Sequence, residues 1–222
     1  MRLLTFCCSL LAGVAAASSA AAARPAKITK CGTLSAPGSY QVTKNLEAAG
    51  DCLVVAADFV TIDLGGFVVS GNGTGEGITD KDVKRSGVAL RNGTIRRFAL
   101  GVALSTTADC QVEKVRVLDN VDGGISVGAN AVITGNVASR NGGDGIAIGS
   151  NSLASGNSSS SNVTGFDVSP NSLVSANTAS ANSTIGMIVS CPSHLIGNAV
   201  IASEGILTLD AGCTSVDNNV AP

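Results

Sequence analysis

The sequence of 222 residues predicts an all-β solenoid, a single-stranded parallel β-helix of about eight coils. Three observations predict it: glycines recurring at intervals of 19 to 24 residues, asparagines returning in columns one period apart, and short apolar strands between them. No single repeat can bury its own apolar face, so the repeats must stack. The recurring glycines are Gly77, Gly101, Gly124, Gly145, Gly165, Gly186 and Gly205.

One repeat shows all three strands of a coil. In the segment 145–148, Ile146 and Ile148 alternate with a small residue, as a half-buried strand requires, because successive side chains point to opposite faces. A second short strand follows at 153–155, and a third begins just beyond Asn157. Three short strands per repeat are typical of a parallel β-helix, whose neighbouring coils lie about 4.8 Å apart.

The asparagines form two columns. An asparagine at a tight corner tolerates the left-handed backbone conformation, and stacked amides can hydrogen-bond from coil to coil. We therefore interpret both columns as structural. The main column is Asn136, Asn157, Asn177, Asn198 and Asn218, and the second row is Asn130, Asn151 and Asn171.

The chain divides into three segments. Residues 1–23 have a positive start, an apolar run and small residues before Arg24, which predicts a signal peptide and a secreted or periplasmic protein. We expect residues 24–51 to form an N-terminal cap, because an open end of a β-helix exposes unpaired backbone. Residues 52–222 carry the β-helix. No later segment is long and apolar enough to span a membrane.

The composition argues against several classes of partner. The formal net charge is −2 and no basic run could follow a phosphate backbone, which argues against nucleic acid. The cysteines show no C-x-x-C spacing and His194 is the only histidine, so we expect no metal site and no cofactor.

Several early segments resemble the opening of exported right-handed parallel β-helix repeat proteins, and the later coils are similar to the repeat of NosD-like periplasmic proteins and pectate-lyase-like carbohydrate-active β-helices. The resemblance implies a right-handed coil. Because this scaffold hosts lyases, hydrolases, epimerases and adhesins, it says less about activity than about fold. The segments are CGT at 31–33, PGSY at 37–40, CLVV at 52–55, VTIDLGG at 60–66 and GVALRNGTIRRF at 87–98.

Five cysteines lie beyond the predicted signal peptide. A disulfide between Cys31 and Cys52 would join the cap to the first coil, and Cys191 and Cys213, one coil apart, could bridge neighbouring turns. Both pairings are hypotheses. Cys110 is left over, and we interpret it as a small, partly buried residue rather than a nucleophile.

The resemblance places chemistry in a shallow groove on the outer face of one strand row. The outward positions of the first row are predicted to be Ser126, Ala147, Asp167, Ile188 and Leu207. Only Asp167 is ionisable there, and Asp144, one coil away, is the nearest partner for a catalytic pair. Solvated turn carboxylates are the alternative interpretation.

Basic residues cluster on the early coils. Arg96, Arg97, Arg116 and Arg140 are the candidate ligands for an acidic polysaccharide, and Arg116 or Arg140 could also serve a lyase or epimerase. The alternative is that these charges only keep the solenoid soluble.

Alternation also predicts an outward apolar stripe on the second strand row, suited to a homo-oligomer. Its members are Ile133, Ala154, Val174 and Ile196. The sequence as a whole favours an exported scaffold or binding protein with polysaccharide as its ligand. A polysaccharide lyase or epimerase, less readily a glycoside hydrolase, is the first alternative, and a structural oligomer or adhesin-like surface protein is the second.

Overall fold

The computed structural model describes residues 24–209 and 211–221, and the predicted signal peptide at 1–23 lies outside them. Within these ranges the protein is all-β, a stack of parallel coils with three faces. Strands are numbered in chain order. In the described part of the chain, no helix is long and apolar enough to cross a membrane.

The first face is a parallel sheet of nine strands, one for each coil. Its strands are β2 (Gly32–Leu34), β5 (Leu53–Val55), β8 (Glu76–Thr79), β10 (Leu100–Leu104), β12 (Gly123–Val127), β15 (Asp144–Ile148), β18 (Thr164–Val168), β21 (Ile185–Ser190) and β24 (Ile206–Leu209).

The second and third faces share a sheet of 17 strands, because β9 (Ala89–Arg96) and β11 (Gln111–Leu118) run through both. The second face also contains β1 (Ala26–Ile28), β3 (Gly38–Val42), β6 (Val60–Asp63), β13 (Val132–Thr134), β16 (Leu153–Ser155), β19 (Leu173–Ser175), β22 (His194–Ile196) and β25 (Thr214–Val216). The third contains β4 (Leu46–Glu47), β7 (Val68–Ser70), β14 (Val137–Ser139), β17 (Ser158–Ser160), β20 (Thr178–Ser180), β23 (Ala199–Ile201) and β26 (Asn219–Ala221).

The predicted β-helix is therefore confirmed, with about nine coils where the sequence predicted about eight. Strands β2, β3 and β4 pair with β5, β6 and β7. A first coil thus already lies within residues 24–51, where we predicted a cap.

The predicted apolar stripe is wrong. Ile133, Ala154 and Val174 are fully buried core residues, stacked in register with the buried Leu195, and only Ile196 is exposed. Each of these three buried residues directly follows another apolar residue, so the apolar pattern alone could not tell the inner column from the outer one. The outer columns are Val132, Leu153 and Leu173 on one side, and Thr134, Ser155 and Ser175 on the other.

Most corners of the later coils share one arrangement, in which a left-handed residue on the outside is followed by an inward polar side chain. Asn130, Gly135 and Arg140 have φ values of 58°, 63° and 56° in one coil. In the next coil Ser152, Asn157 and Asn162 follow the equivalent positions, and all three are buried. The inward side chain accepts the backbone N–H of its counterpart one coil earlier, as Ser152 does from Ala131. A corner of this kind thus provides an acceptor for a buried backbone N–H group that the hydrogen bonds between strands leave unpaired.

The main asparagine column forms the coil-to-coil ladder that the sequence predicted, but each member follows the left-handed corner residue rather than occupying that position. Its amides are joined Nδ2 to Oδ1 from Asn136 through Asn157, Asn177 and Asn198 to Asn218 at 2.8–3.1 Å. The predicted second row, at Asn130, Asn151 and Asn171, lies outside the core at left-handed positions. A further buried ladder, which the sequence analysis missed, links Asn120, Asn141, Asn162 and Asn182.

Four of the recurring glycines, Gly101, Gly124, Gly145 and Gly165, pack against this further ladder. A Cβ built on Gly145 would meet Asn162 Nδ2, Ser159 Oγ and the carbonyl oxygen of Gly165. The equivalent position at Gly165 meets Asn182 Nδ2 and Gly186. These four glycines therefore mark a close approach of the backbone to the interior amides.

Both predicted disulfides, Cys31–Cys52 and Cys191–Cys213, are confirmed. Cys110 is buried and free. Burial raises the pKa of its thiol to about 12, with smaller contributions from Asp80 and Asp109, so the reactive thiolate is suppressed.

Candidate functional site

The corner between the third and first faces carries the densest group of arginines. Its left-handed positions in three successive coils are Arg97, Asp119 and Arg140, each bonded through its backbone N–H to the next coil. Adjacent coils lie about 4.8 Å apart, so these side chains emerge in a row along the helix axis. We call this row the arginine corner.

Asp119 and Arg140 form a two-point ion pair in this row. Arg140 donates from Nε to Asp119 Oδ1 at 2.6 Å and from a terminal nitrogen to Oδ2 at 3.2 Å. The hydrogen bonds and charge of Arg140 hold the pKa of Asp119 below its usual range against the effect of burial, and Arg96 and Arg97 lower it further. Asp119 is therefore ionised at neutral pH, and its carboxylate binds the guanidinium group of Arg140.

The other two predicted arginines lie on the adjoining third face. Arg96 ends β9 between Ser70 of the previous coil and Leu118 of the next, and Arg116 pairs with Thr94 and Val137. Both arginines are exposed. In the described part of the chain, neither they nor Arg97 has a carboxylate within salt-bridge distance. The structure thus brings Arg96, Arg97, Arg116 and Arg140 together on one edge.

An open cleft of about 560 Å³ adjoins this edge. It is lined by Arg97, Glu47, Asn72 and the small residues between them, and a second hollow of about 150 Å³ beside it includes Arg96. Its polar lining, in which Arg97 and Glu47 carry opposite charges, suits a hydrated polar ligand more than an apolar one.

The predicted carboxylates lie on the first face. Asp167 occupies the outward column with Ser126, Ala147 and Ile188, as the sequence predicted. Asp144 is three residues before Ala147, the register partner of Asp167, so the two carboxylates are on adjacent strands but offset along them. Burial raises the pKa of Asp167, and the charge of Asp144 raises it further.

Asp167 lines a shallow cleft of about 390 Å³ with Ser126, Ala147 and turn residues such as Ser150. Arg116 is on the third face, and Arg140 is engaged with Asp119. The four catalytic candidates are therefore not assembled in one place.

Sequence reasoning missed Asp119 as a member of the basic cluster. The signal was available, because Asp119 lies 22 residues after Arg97 and 21 before Arg140, one repeat in each direction. Among the described residues, no group of three or more His, Cys, Asp or Glu side chains is placed to hold a metal ion.

A stack of parallel coils with interior asparagine ladders defines a single-stranded β-helix protein. The chain belongs to the right-handed β-helix family, because the family model described as "Right handed beta helix region" matches residues 43–169 and 83–221. No curated protein matches the chain in sequence.

Solved structures resemble it at low identity. The A-module of the Azotobacter vinelandii mannuronan C-5 epimerase AlgE6 is 13% identical, with a TM-score of 0.47 over 83% of this chain and 85% of that one. The enzymatically active domain of tailspike protein 2 from bacteriophage CBA120 is also 13% identical, with a TM-score of 0.40 over 85% of this chain and 39% of that one. Likeness at this level extends to the fold alone.

Proposed function

We propose that this protein is an exported binding protein for acidic polysaccharides, held along the arginine corner and the adjoining third face. The observation that carries the proposal is the convergence of Arg96, Arg97 and Arg116, three arginines without a carboxylate partner among the described residues, beside an open polar cleft. Unpaired guanidinium groups bind carboxylates and sulfates through charge-assisted hydrogen bonds.

The shape of this surface favours a polymer over a small ligand. The face is open, and its positions repeat about every 4.8 Å along the axis, so an extended chain can lie across several coils. Exposed Asn72 and the partly exposed Ser70 and Thr94 supply neutral hydrogen-bonding groups between the charges. A repeating anionic chain would contact each in turn.

Binding to polygalacturonate and alginate, measured by isothermal titration with neutral dextran for comparison, tests the proposal. Arg96→Ala and Arg116→Ala should each weaken binding by about 1 kcal/mol, roughly fivefold. Lys84→Ala removes an exposed cation on a different loop and is the matched control. Added salt should also weaken binding, because it screens exposed charges. Equal binding by all variants would contradict the proposal.

The cleft at Asp167 supports an enzyme as the second candidate. A half-buried carboxyl group with a raised pKa is suited to proton transfer, which a polysaccharide lyase, an epimerase or a hydrolase requires. Proton NMR of each polysaccharide after incubation would reveal unsaturated, epimerised or reducing-end signals. Their absence in Asp167→Asn, with their presence in the parent protein, would assign the chemistry to this cleft.

The two disulfides support export of the protein, since such bonds persist in oxidising surroundings. Secretion should leave a mature protein beginning at Arg24, which N-terminal sequencing would test. The structural-oligomer alternative loses its main argument, because three of the four stripe residues are buried.

A further inference from the structure

Phe59 is the most conspicuous apolar side chain on the surface. It is 67% exposed, and its backbone is left-handed with φ 55°. Its N–H donates to Ser86 and its carbonyl accepts from Gly38, so the ladders on both sides fix the residue in this conformation. An L-residue with a bulky side chain rarely adopts it, because the side chain crowds the following carbonyl group.

The corner that contains Phe59 shows which residue types normally occupy this left-handed position. The strands of the second face pair in register from coil to coil, so the residues two positions before the paired ones occupy the same corner. In six successive coils this corner residue has a left-handed backbone. These residues are Phe59, Gly87, Asp109, Asn130, Asn151 and Asn171, with φ values of 55–69°. Five of the six residues are Gly, Asp or Asn, which tolerate the conformation. Phe59 is the exception.

Burial does not compensate for this strain, because most of the ring faces solvent. One edge of the ring packs against Gly87, where a built Cβ would come within 2.6 Å of a ring carbon. The glycine therefore makes room for that edge, and most of the side chain stays open to solvent. Strained, exposed residues of this kind are found at functional sites.

Beyond Gly87 the row continues with polar groups. Asp109 accepts from Ser86 Oγ at 2.7 Å and from Asn130 Nδ2 at 3.2 Å, which fixes its carboxylate two coils, or about 10 Å, from Phe59. Asn151 and Asn171 are exposed, and their side-chain amides have no hydrogen-bond partner within the described residues. Each amide offers two donors and an acceptor to a ligand.

The row also borders the Asp167 cleft. Ala129 and Ser150 line that cleft and directly precede Asn130 and Asn151. An extended ligand on the row would therefore lie along its rim. This corner joins the first and second faces, whereas the arginine corner joins the third and first, so the two sites are separate.

We propose that this row, the Phe59 strip, binds a neutral polysaccharide. Sugar rings have an apolar face of C–H groups that stacks on an aromatic ring, and an edge of hydroxyl groups that hydrogen-bonds with amides and carboxylates. The strip presents one such ring followed by Asp109, Asn130, Asn151 and Asn171 at the coil spacing. It carries a single formal charge, which distinguishes its ligand from the acidic chain of the arginine corner.

Phe59→Gly separates this role from a structural one. Glycine relieves the left-handed strain, so the variant should melt at a higher temperature while its affinity for neutral polysaccharide falls at least tenfold. Affinity electrophoresis in dextran, xylan, galactomannan and hydroxyethyl cellulose measures binding. Val121→Ala, which trims another exposed apolar side chain, is the control and should bind as the parent does.

Asn151→Gly provides a second test, because it keeps the left-handed backbone but removes the amide. It should weaken retention in the same gel without lowering the melting temperature. The proposal is overturned if the parent protein is retained by none of the four polymers, or if Phe59→Gly is retained as strongly as the parent. Loss of acidic-polysaccharide binding in Arg116→Ala bears only on the other site.

Discussion

The side-chain nitrogen of Asn157 donates a hydrogen bond of 2.9 Å to the side-chain oxygen of Asn177 one coil further on, and both residues are buried. The same nitrogen also donates to the carbonyl oxygen of Ile133 at 2.8 Å. Buried polar groups stabilise a protein only when their bonds are made, and here each amide satisfies its neighbours along the axis. The ladder thus links the coils through the interior as well as through the sheets.

Asn157→Ala should destabilise the fold by about 3–5 kcal/mol, because it leaves the Ile133 carbonyl and two Asn136 donors buried and unpaired at about 1–3 kcal/mol each. Urea unfolding followed by circular dichroism measures the change. Asn171→Gly, at an exposed left-handed position, is the control and should differ from the parent by under about 0.5 kcal/mol. Similar losses in both variants would show that the ladder contributes little.

Gly145→Ala tests the glycine column. The new Cβ would collide with Ser159 Oγ and lie 2.5 Å from Asn162 Nδ2, so the interior must shift, at a cost of about 2–3 kcal/mol. Gly32→Ala is matched, because Gly32 is also on a first-face strand but has nothing within 4 Å of a built Cβ. It should unfold at the same urea concentration as the parent. A tolerated Gly145→Ala would mean that the periodic glycines have another cause.

Most of the fold could be predicted from the repeat interval of the sequence. Columns such as Asn136 and Asn157 could be read directly, since identical residues returned at one interval in a strongly turn-forming type. The ladder at Asn120 and Asn141 was missed because its members do not stand out in an Asn-rich chain. Phe59 was missed because a single residue has no periodicity, and its left-handed backbone follows only from the corner that it shares with Asn130.

Asp119→Asn should strengthen binding of acidic polysaccharide. The substitution removes the carboxylate that engages Arg140 and returns that guanidinium to the ligand. An exposed ion pair contributes about 0.2–1 kcal/mol, so the gain should be about 1.4- to fivefold, with a steeper dependence on salt. Titration with polygalacturonate measures it.

Asp217→Asn makes the same change of charge at an exposed corner near the other end of the coils, and it is the control for Asp119→Asn. It should leave the affinity within the error of the parent value. Weaker binding in Asp119→Asn would instead mean that Asp119 positions Arg140 for the ligand.

Asp167→Asn should raise the melting temperature at neutral pH. Burial and the charge of Asp144 raise the pKa of Asp167 in the folded state, so the ionised form is disfavoured there relative to the unfolded chain. The gain should therefore fade as the pH falls below the unfolded value of about 4, where both states are protonated. Scanning calorimetry at pH 7 and at pH 3.5 measures it.

Asp144→Asn should give a smaller rise over the same pH range, because burial is the larger cause of the shift in the pKa of Asp167 and the Asp144 charge is the lesser one. An equal gain at both pH values would show that ionisation of Asp167 is not responsible.

Substitutions of Leu173 and Val174 test which side chains of the second face lie in the core. Val174 is fully buried and stacks between Ala154 and Leu195, whereas Leu173 is 38% exposed in the neighbouring outer column. Val174→Ser loses about 2 kcal/mol of apolar burial and buries a hydroxyl group, about 3–4 kcal/mol in total. Leu173→Ser should cost under about 1 kcal/mol. Urea unfolding of the two variants would give the reverse order if the stripe predicted by alternation faced solvent, because the two residues would then exchange environments.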